Sequence, residues 1–283
     1  MTDSVQIANI VRRALQEDVG QGDVTSAWTL PPGLVGRGMF LSKAQGMVAG
    51  IEVAREVFAQ VSTDVSLIAL LSDGDAIAPG NLIAIVEGPM AAILTAERTA
   101  LNFMQRMSGI ASAARQYVEA VAGTEATILD TRKTVPGLRF LDKWAVRLGG
   151  GQNHRMRLDD MVLIKDNHIA AAGSLTAALE GVYAHNVHQL PVEVEVKTWP
   201  ELQEAVALLP DRIMLDNMSP AEMRRAVEYV AGRVHLEASG GITLQSVREV
   251  AETGVDYISV GALTHSVTAL DISLEVEHVD EKV

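Results

Sequence analysis

Between residues 131 and 165 the chain places eight cations: Arg132, Lys133, Arg139, Lys143, Arg147, Arg155, Arg157 and Lys165. Only Asp142, Asp159 and Asp160 oppose them. The local balance is +5, with His154 beside it, in a chain whose formal net charge is -13. A guanidinium pairs bidentately with a carboxylate or phosphate, so converging cations would bind a multiply anionic small molecule. A solvated basic face is the plainer explanation. Against it, Arg132 and Lys133 directly follow a predicted strand and Lys165 ends another. The run Gly149-Gly150-Gly151-Gln152-Asn153-His154-Arg155 adds a turn whose backbone can approach a ligand closely.

Glu195 and Asp216 close successive predicted strands. Two carboxylates at one strand end could hold a divalent cation through water, as magnesium prefers, or stabilise positive charge on a sugar carbon. They could equally be structural partners of nearby Lys or Arg. Ser239-Gly240-Gly241 follows a later strand, and Gly261-Ala262 the next, with Thr264, His265 and Ser266 after it. Consecutive glycine-rich strand-to-helix turns suit a phosphate held by backbone N–H groups. His185 and His188, three apart on a helical segment, lack a metal partner and read as surface residues. Trp28, Trp144 and Trp199 are scattered and form no stacking platform.

The elements that must position these groups follow from periodicity. After Gly123, short apolar runs alternate with helix-forming stretches: 126–129, 161–164, 192–196, 212–215, 234–236 and 257–260. Asp130, Lys165, Glu195, Asp216, Glu237 and Gly261 end them. Glu195 to Asp216 and Asp216 to Glu237 are each 21 residues, enough for a strand of about five residues, a helix of about ten and two short loops. This predicts a parallel α/β barrel with its site at the C-terminal strand ends. A doubly wound sheet gives a similar pattern, and the late glycine-rich turns favour the barrel. Upstream, Ile7, Ile10, Val11, Ala14 and Leu15 predict an amphipathic helix over 4–18. Residues 34–88 read as a small antiparallel sheet unit. Pro89 opens a long helix, and the alternating tail from about Val267 reads as an edge strand or short amphipathic piece.

Composition removes several classes. Without cysteine there is no disulfide scaffold, thiolate zinc site, iron–sulfur cluster or cysteine nucleophile. An excess of 36 acidic over 23 basic residues argues against a general nucleic-acid binder. No apolar run reaches the roughly 18 residues of a membrane span. Met1-Thr2-Asp3-Ser4 lacks a signal-peptide pattern, so a cytoplasmic protein is expected.

The motifs taken together resemble quinolinate phosphoribosyltransferases, also called nicotinate-nucleotide pyrophosphorylases (carboxylating). They include Asp130-Thr131-Arg132-Lys133-Thr134-x-Pro136-Gly137-Leu138-Arg139, Gly149-Gly150-Gly151-x-Asn153-His154-Arg155 and Leu163-Ile164-Lys165-Asp166-Asn167-His168. Glu193-Val194-Glu195-Val196, Leu215-Asp216-Asn217, Ser239-Gly240-Gly241-Ile242 and Ser259-x-Gly261-Ala262-Leu263-Thr264-His265-Ser266 continue the likeness. Glu17-Asp18-x-Gly20-x-Gly22-Asp23-Val24-Thr25 and Glu97-Arg98-Thr99-Ala100-Leu101-Asn102-Phe103 extend it over nearly the whole chain. Trp144, where that family commonly has Tyr, is a mild departure.

The resemblance implies an N-terminal α/β sandwich over 1–110, joined by the tail 267–283, and an incomplete, seven-stranded α/β barrel over 111–266. It implies a homodimer with shared active sites, and a magnesium-dependent reaction of quinolinate with 5-phosphoribosyl-1-pyrophosphate. That reaction gives nicotinate mononucleotide, pyrophosphate and carbon dioxide. By the same resemblance Arg132, Lys133, His154, Arg155 and Lys165 bind quinolinate, with Arg98 supplied by the partner. Glu195 and Asp216 hold ribose hydroxyls and magnesium, and Ser239, Gly240, Gly241, Gly261 and Ala262 hold the 5-phosphate. Lys133, Lys165, Glu195 and Asp216 form the catalytic group. The rivals are a phosphoribosyltransferase acting on nicotinate, a metal-transport paralogue, a non-catalytic phosphate-binding barrel and a Schiff-base aldolase through Lys165. The first two should need fewer cations, and the third has no use for Glu195 and Asp216 beside them. A dianion beside Lys165 would raise the lysine pKa that an aldolase needs lowered.

Overall fold

A computed structural model describes residues 3–278 of the chain. They fall into two compact units. The first comprises residues up to Arg115, Val135–Gly150 and the chain from Val267 onward; the second comprises Gln116–Thr134 and Gly151–Ser266. Among the described residues no helix is long and apolar enough to cross a membrane.

The first unit opens with the expected amphipathic helix, Asp3–Val19, which buries Val11 and Leu15. Strands β1 (Val35–Ser42), β2 (Gly46–Met47), β3 (Ser66–Ala69), β4 (Ala76–Ile77) and β5 (Leu82–Pro89) follow. Helix Met90–Ala120 starts directly after Pro89 and buries Ile93, Leu101 and Met104.

The second unit is built on β6 (Thr127–Leu129), β7 (Val162–Ile164), β8 (Val192–Val196), β9 (Arg212–Asp216), β10 (His235–Ser239) and β11 (Tyr257–Ser259). They pair in parallel in the order β6-β11-β10-β9-β8-β7. A parallel bridge between Leu129 and Gln152 adds the beginning of a seventh strand beside β6. Among the described residues no ladder joins Gln152 to β7, so the barrel stays open there. β8, Val-Glu-Val-Glu-Val, is buried throughout. Its valines alternate with Glu193 and Glu195, the period-2 placement that puts the two carboxylates on one face. The helices after β8 and β9 start with capping boxes, Thr198 with Glu201 and Ser219 with Glu222, so the loops leaving the strand ends are short and fixed.

The last strand, β12 (Ile272–His278), pairs antiparallel with β1. It completes the four-stranded sheet β12-β1-β5-β3, so the alternating tail is an edge strand of the first unit.

Segment 135–150 groups with the first unit, although its place in the sequence had assigned it to the barrel. Two contacts explain why. Asp142, fully buried, accepts from Arg106 Nε at 2.9 Å and Nη2 at 2.8 Å. A Cβ on Gly149 would lie 2.3 Å from the carbonyl oxygen of Ala111, so only glycine lets this segment pack so closely on the long helix. Arg139, Lys143 and Arg147 belong to this segment. They are therefore not among the barrel's cations, and the locally positive stretch divides between the two units.

Candidate active site

Parallel strands in register present residues of alternate positions at one level. Glu195 pairs with Met214, and Ser239 with Asp216. This brings Arg132, Lys133, His154, Arg155, Lys165, Glu195, Asp216, Ser239, Gly240 and Gly241 around one cavity of about 510 Å3 in the second unit. β10 runs on to Ser239, so Ser239 is its terminal residue. Glu237, expected at that strand's end, stands two residues deeper and fully buried. Gly261, Ala262 and Arg98 do not line this cavity. Arg98 is exposed on the first unit's long helix, 3.9 Å from Glu97. Gly261 instead leaves room for a cation: its Cβ would sit 3.2 Å from Lys133 Cδ. Thr264 Oγ1 donates to the Lys133 carbonyl at 2.9 Å. His185 and His188 are exposed, as expected.

The cationic wall is built by a buried carboxylate. Asp130, at the end of β6, accepts from the His154 backbone N–H at 2.9 Å and from Asn153 Nδ2 at 2.5 Å. This ties the Asn-His-Arg run to the strand carrying Arg132. Burial, and next the neighbouring Arg132 charge, hold the Arg155 pKa below the usual guanidinium value. Arg132 Nε is buried without a hydrogen-bond partner. Two guanidiniums that repel each other, one with an unsatisfied donor, are matched to an incoming carboxylate. His154 is turned differently from expectation. Its Nδ1 accepts the Arg155 backbone N–H at 2.7 Å, and its Nε2 lies 2.9 Å from Glu193 Oε2. An Nδ1 that accepts leaves the proton on Nε2, so the ring donates down to Glu193.

The floor of the cavity is a buried layer in which the sequence reading gave a role to His154 alone. His154, Glu193 and Glu237 are buried with ligand atoms within 4.8 Å of one another. Arg212 Nη1 donates to Glu237 Oε2 at 2.8 Å. Burial pushes both carboxyls up to about 7; for Glu237 the Glu193 charge adds to this, while Arg212 opposes it for both. Glu193 Oε1 and Glu237 Oε1 are buried without a donor, so the pair is best satisfied by a retained proton. The spacing that could have shown it is the Glu-x-Glu of β8 and the Glu-x-Ser of β10, each reaching inward twice.

A carboxyl whose folded pKa lies above its unfolded value holds a proton that the unfolded chain releases. Stability from this pair is therefore full below the unfolded value of about 4.5 and falls as pH rises towards 7. Glu237→Gln, which imitates the protonated carboxyl, should flatten that decline. Urea unfolding at pH 5.5 and pH 8 will show the variant gaining on the natural protein at the higher pH. Parallel losses in the two proteins would refute the retained proton.

The glycine turn after β10 is sterically determined. Gly240 has φ +95°, and a Cβ there would lie 2.3 Å from Asn217 Oδ1. Asn217 is itself left-handed at φ 57° and donates its N–H to the Ser239 carbonyl at 2.9 Å. Asn217 thus joins the cavity wall, a role that sequence reading did not assign. The first unit has its own groove of about 580 Å3, but its Arg106 is already committed to Asp142. It offers no comparable convergence of cations.

A parallel α/β unit that faces guanidiniums and ammoniums with two strand-end carboxylates and glycine turns suits a phosphoribosyltransferase, and the matches to known proteins define that class. Residues 23–108 match the N-terminal domain and residues 110–275 the C-terminal domain of quinolinate phosphoribosyl transferase. The chain belongs to that family. It is 45% identical to quinolinate phosphoribosyltransferase (decarboxylating) 1b of Nicotiana tabacum, over 96% of this chain and 82% of that protein. It superposes on the nicotinate-nucleotide pyrophosphorylase of Francisella tularensis with a TM-score of 0.93 at 38% identity, covering 98% of both chains. NadC of Streptococcus pyogenes gives 0.94 at 38% identity, covering 99% of both.

Proposed function

We propose that this protein transfers the phosphoribosyl group of 5-phosphoribosyl-1-pyrophosphate to quinolinate and decarboxylates the product. Nicotinate mononucleotide, pyrophosphate and carbon dioxide result, a step of NAD biosynthesis. The observation that carries this reading is the convergence of Arg132, Lys133, Arg155 and Lys165 on the same cavity as Glu195 and Asp216. The cations match a dicarboxylate, and the carboxylates match a sugar that becomes positive in the transition state.

The pyridine nitrogen lone pair forms the bond to C1 of the ribose as the C1–oxygen bond breaks and its electron pair leaves with pyrophosphate. Arg132 and Arg155 hold the carboxylates, so the ring nitrogen is aimed rather than free to rotate. His154, anchored to Glu193 and the Arg155 backbone, acts as a positioning residue for that guanidinium. Glu195 and Asp216 face the ribose, where their charge favours the oxocarbenium-like state. The C2–carboxylate bond then breaks, its electron pair is stabilised beside the quaternised nitrogen, and C2 takes a proton from water. Ser239, Gly240 and Gly241 receive the 5-phosphate, with Gly261 against the Lys133 side chain. Two oxygen donors at the mouth fit magnesium. Glu195 and Asp216 would hold it, directly or through water, and it would neutralise charge on the departing pyrophosphate.

The direct test is to supply quinolinate, 5-phosphoribosyl-1-pyrophosphate and magnesium and to measure nicotinate mononucleotide and carbon dioxide. No product, or equal turnover of nicotinate, overturns the reading. We further read the protein as a cytoplasmic homodimer in which Arg98 of one protomer serves its partner's cavity. Arg98→Ala and Arg132→Ala, each inactive alone, should then regain activity when mixed, up to roughly a quarter of the natural level if chains exchange at random. Mixed dimers with no recovered activity would refute the sharing.

A further inference from the structure

β8 carries Glu193 and Glu195, and Lys197 continues the same alternation one residue beyond the strand. Its backbone is fixed, because the Lys197 N–H donates to Glu201 Oε2 at 2.8 Å, beside the capping box of the following helix. The ammonium lies 2.6 Å from Asp166 Oδ2, 3.8 Å from Glu195 Oε1 and 3.9 Å from Asp216 Oδ2. The other oxygen of Glu195 lies 3.3 Å from Lys165 Nζ. Both carboxylates assigned above to magnesium therefore already face a side-chain cation. Unit charges about 4 Å apart interact appreciably even near a protein surface, and the Glu195 side chain is only 8% exposed.

We propose that Lys197 is the built-in counter-ion of the Glu195–Asp216 pair, and that a divalent cation binds there only by displacing its ammonium. Asp166 makes the displacement feasible: it is exposed, makes the shortest of the three contacts and retains the ammonium after the cation enters. The lysine thus lowers the affinity of this site for free metal. Without it, Lys165 would still offset part of the Glu195 charge, while Asp216 would lose its Lys197 partner and leave more of its charge for the metal. This rests on the magnesium reading above, but concerns a residue to which that reading gives no part.

The test is Mn2+ binding to the whole protein without substrates, read from the electron paramagnetic resonance signal of the free ion. Lys197→Gln should bind Mn2+ about tenfold more tightly than the natural protein, equivalent to ~1.4 kcal/mol. Added Mg2+ should raise the melting temperature of Lys197→Gln more than that of the natural protein. Lys43→Gln, which breaks the surface pair with Glu275, is the control and should change neither measurement. Equal or weaker Mn2+ binding by Lys197→Gln overturns this proposal and leaves the magnesium reading standing. Failure of both proteins to bind Mn2+ overturns the two together.

Discussion

Arg132→Lys should lower kcat/KM for quinolinate by about 100-fold or more while moving the KM for 5-phosphoribosyl-1-pyrophosphate little. The charge is kept, so simple attraction of an anion survives. What is lost is the planar fork and the buried Nε donor, which has no protein partner. A hydrogen bond to a charged group is worth about 1.5–3 kcal/mol, and the guanidinium supplies two in a fixed geometry. The single ammonium of lysine would also leave one quinolinate carboxylate poorly satisfied inside the cavity, where the cost of an unpaired charge is greatest. Arg155 stands beside Arg132 and feels its charge. It should compensate only in part, because its Nη1 is also drawn to the Met161 carbonyl at 3.1 Å. Steady-state kinetics with each substrate varied in turn will separate the two constants. A change of less than about threefold in kcat/KM for quinolinate would remove Arg132 from the carboxylate site.

Glu195→Gln should reduce kcat by about 100- to 1,000-fold, the range found when one preorganised electrostatic group is removed from a transition state. The substitution keeps size and shape, so β8 should stay folded. Its effect would fall on the charge balance of the mouth. Lys165 Nζ sits 3.3 Å from Glu195 Oε2 and Lys197 Nζ 3.8 Å from Oε1. Once the carboxylate is neutral, both ammoniums oppose the positive charge that develops on the ribose. An interaction that matters chiefly in the transition state lowers kcat with little change in KM. Asp216→Asn should act in the same direction and more weakly, because Asp216 is more exposed. A Glu195→Gln enzyme with near-natural kcat would exclude this carboxylate from stabilising the ribosyl cation. Single-turnover measurement of pyrophosphate release will locate the loss in the first chemical step.

Much of this was written locally in the chain. The 21-residue intervals from Glu195 to Asp216 to Glu237 announced repeated β–α units, and all six predicted strands overlap β6–β11, the largest difference being the end of β10, which runs on three residues past the predicted 236 to Ser239. Strand-end residues are the easiest to read, because a period-2 run that stops at a polar group places that group at a sheet edge whatever the sheet does next. Arg132, Lys165, Glu195 and Asp216 were found in this way. The glycine turn at Gly240 and Gly241 was legible for a similar reason, since a left-handed backbone excludes most other residues. What the turn leans on, the side chain of Asn217, was not.

Residue types and spacing by themselves determined the strand ends, the two carboxylates and most of the cations that meet them, while the family came from the resemblance of the motifs and the matches to both of its domains. Only the tertiary structure decided which charges share a space. It drew Arg139, Lys143 and Arg147 into the first unit through Arg106 and Asp142, 36 residues apart. It set His154 on the buried Glu193–Glu237 layer and placed Lys197 over Glu195 and Asp216. The physical reason is that alternation along a strand is a local property. Electrostatic partnership depends instead on strand order, register and burial, and these are fixed by packing between segments far apart in the chain.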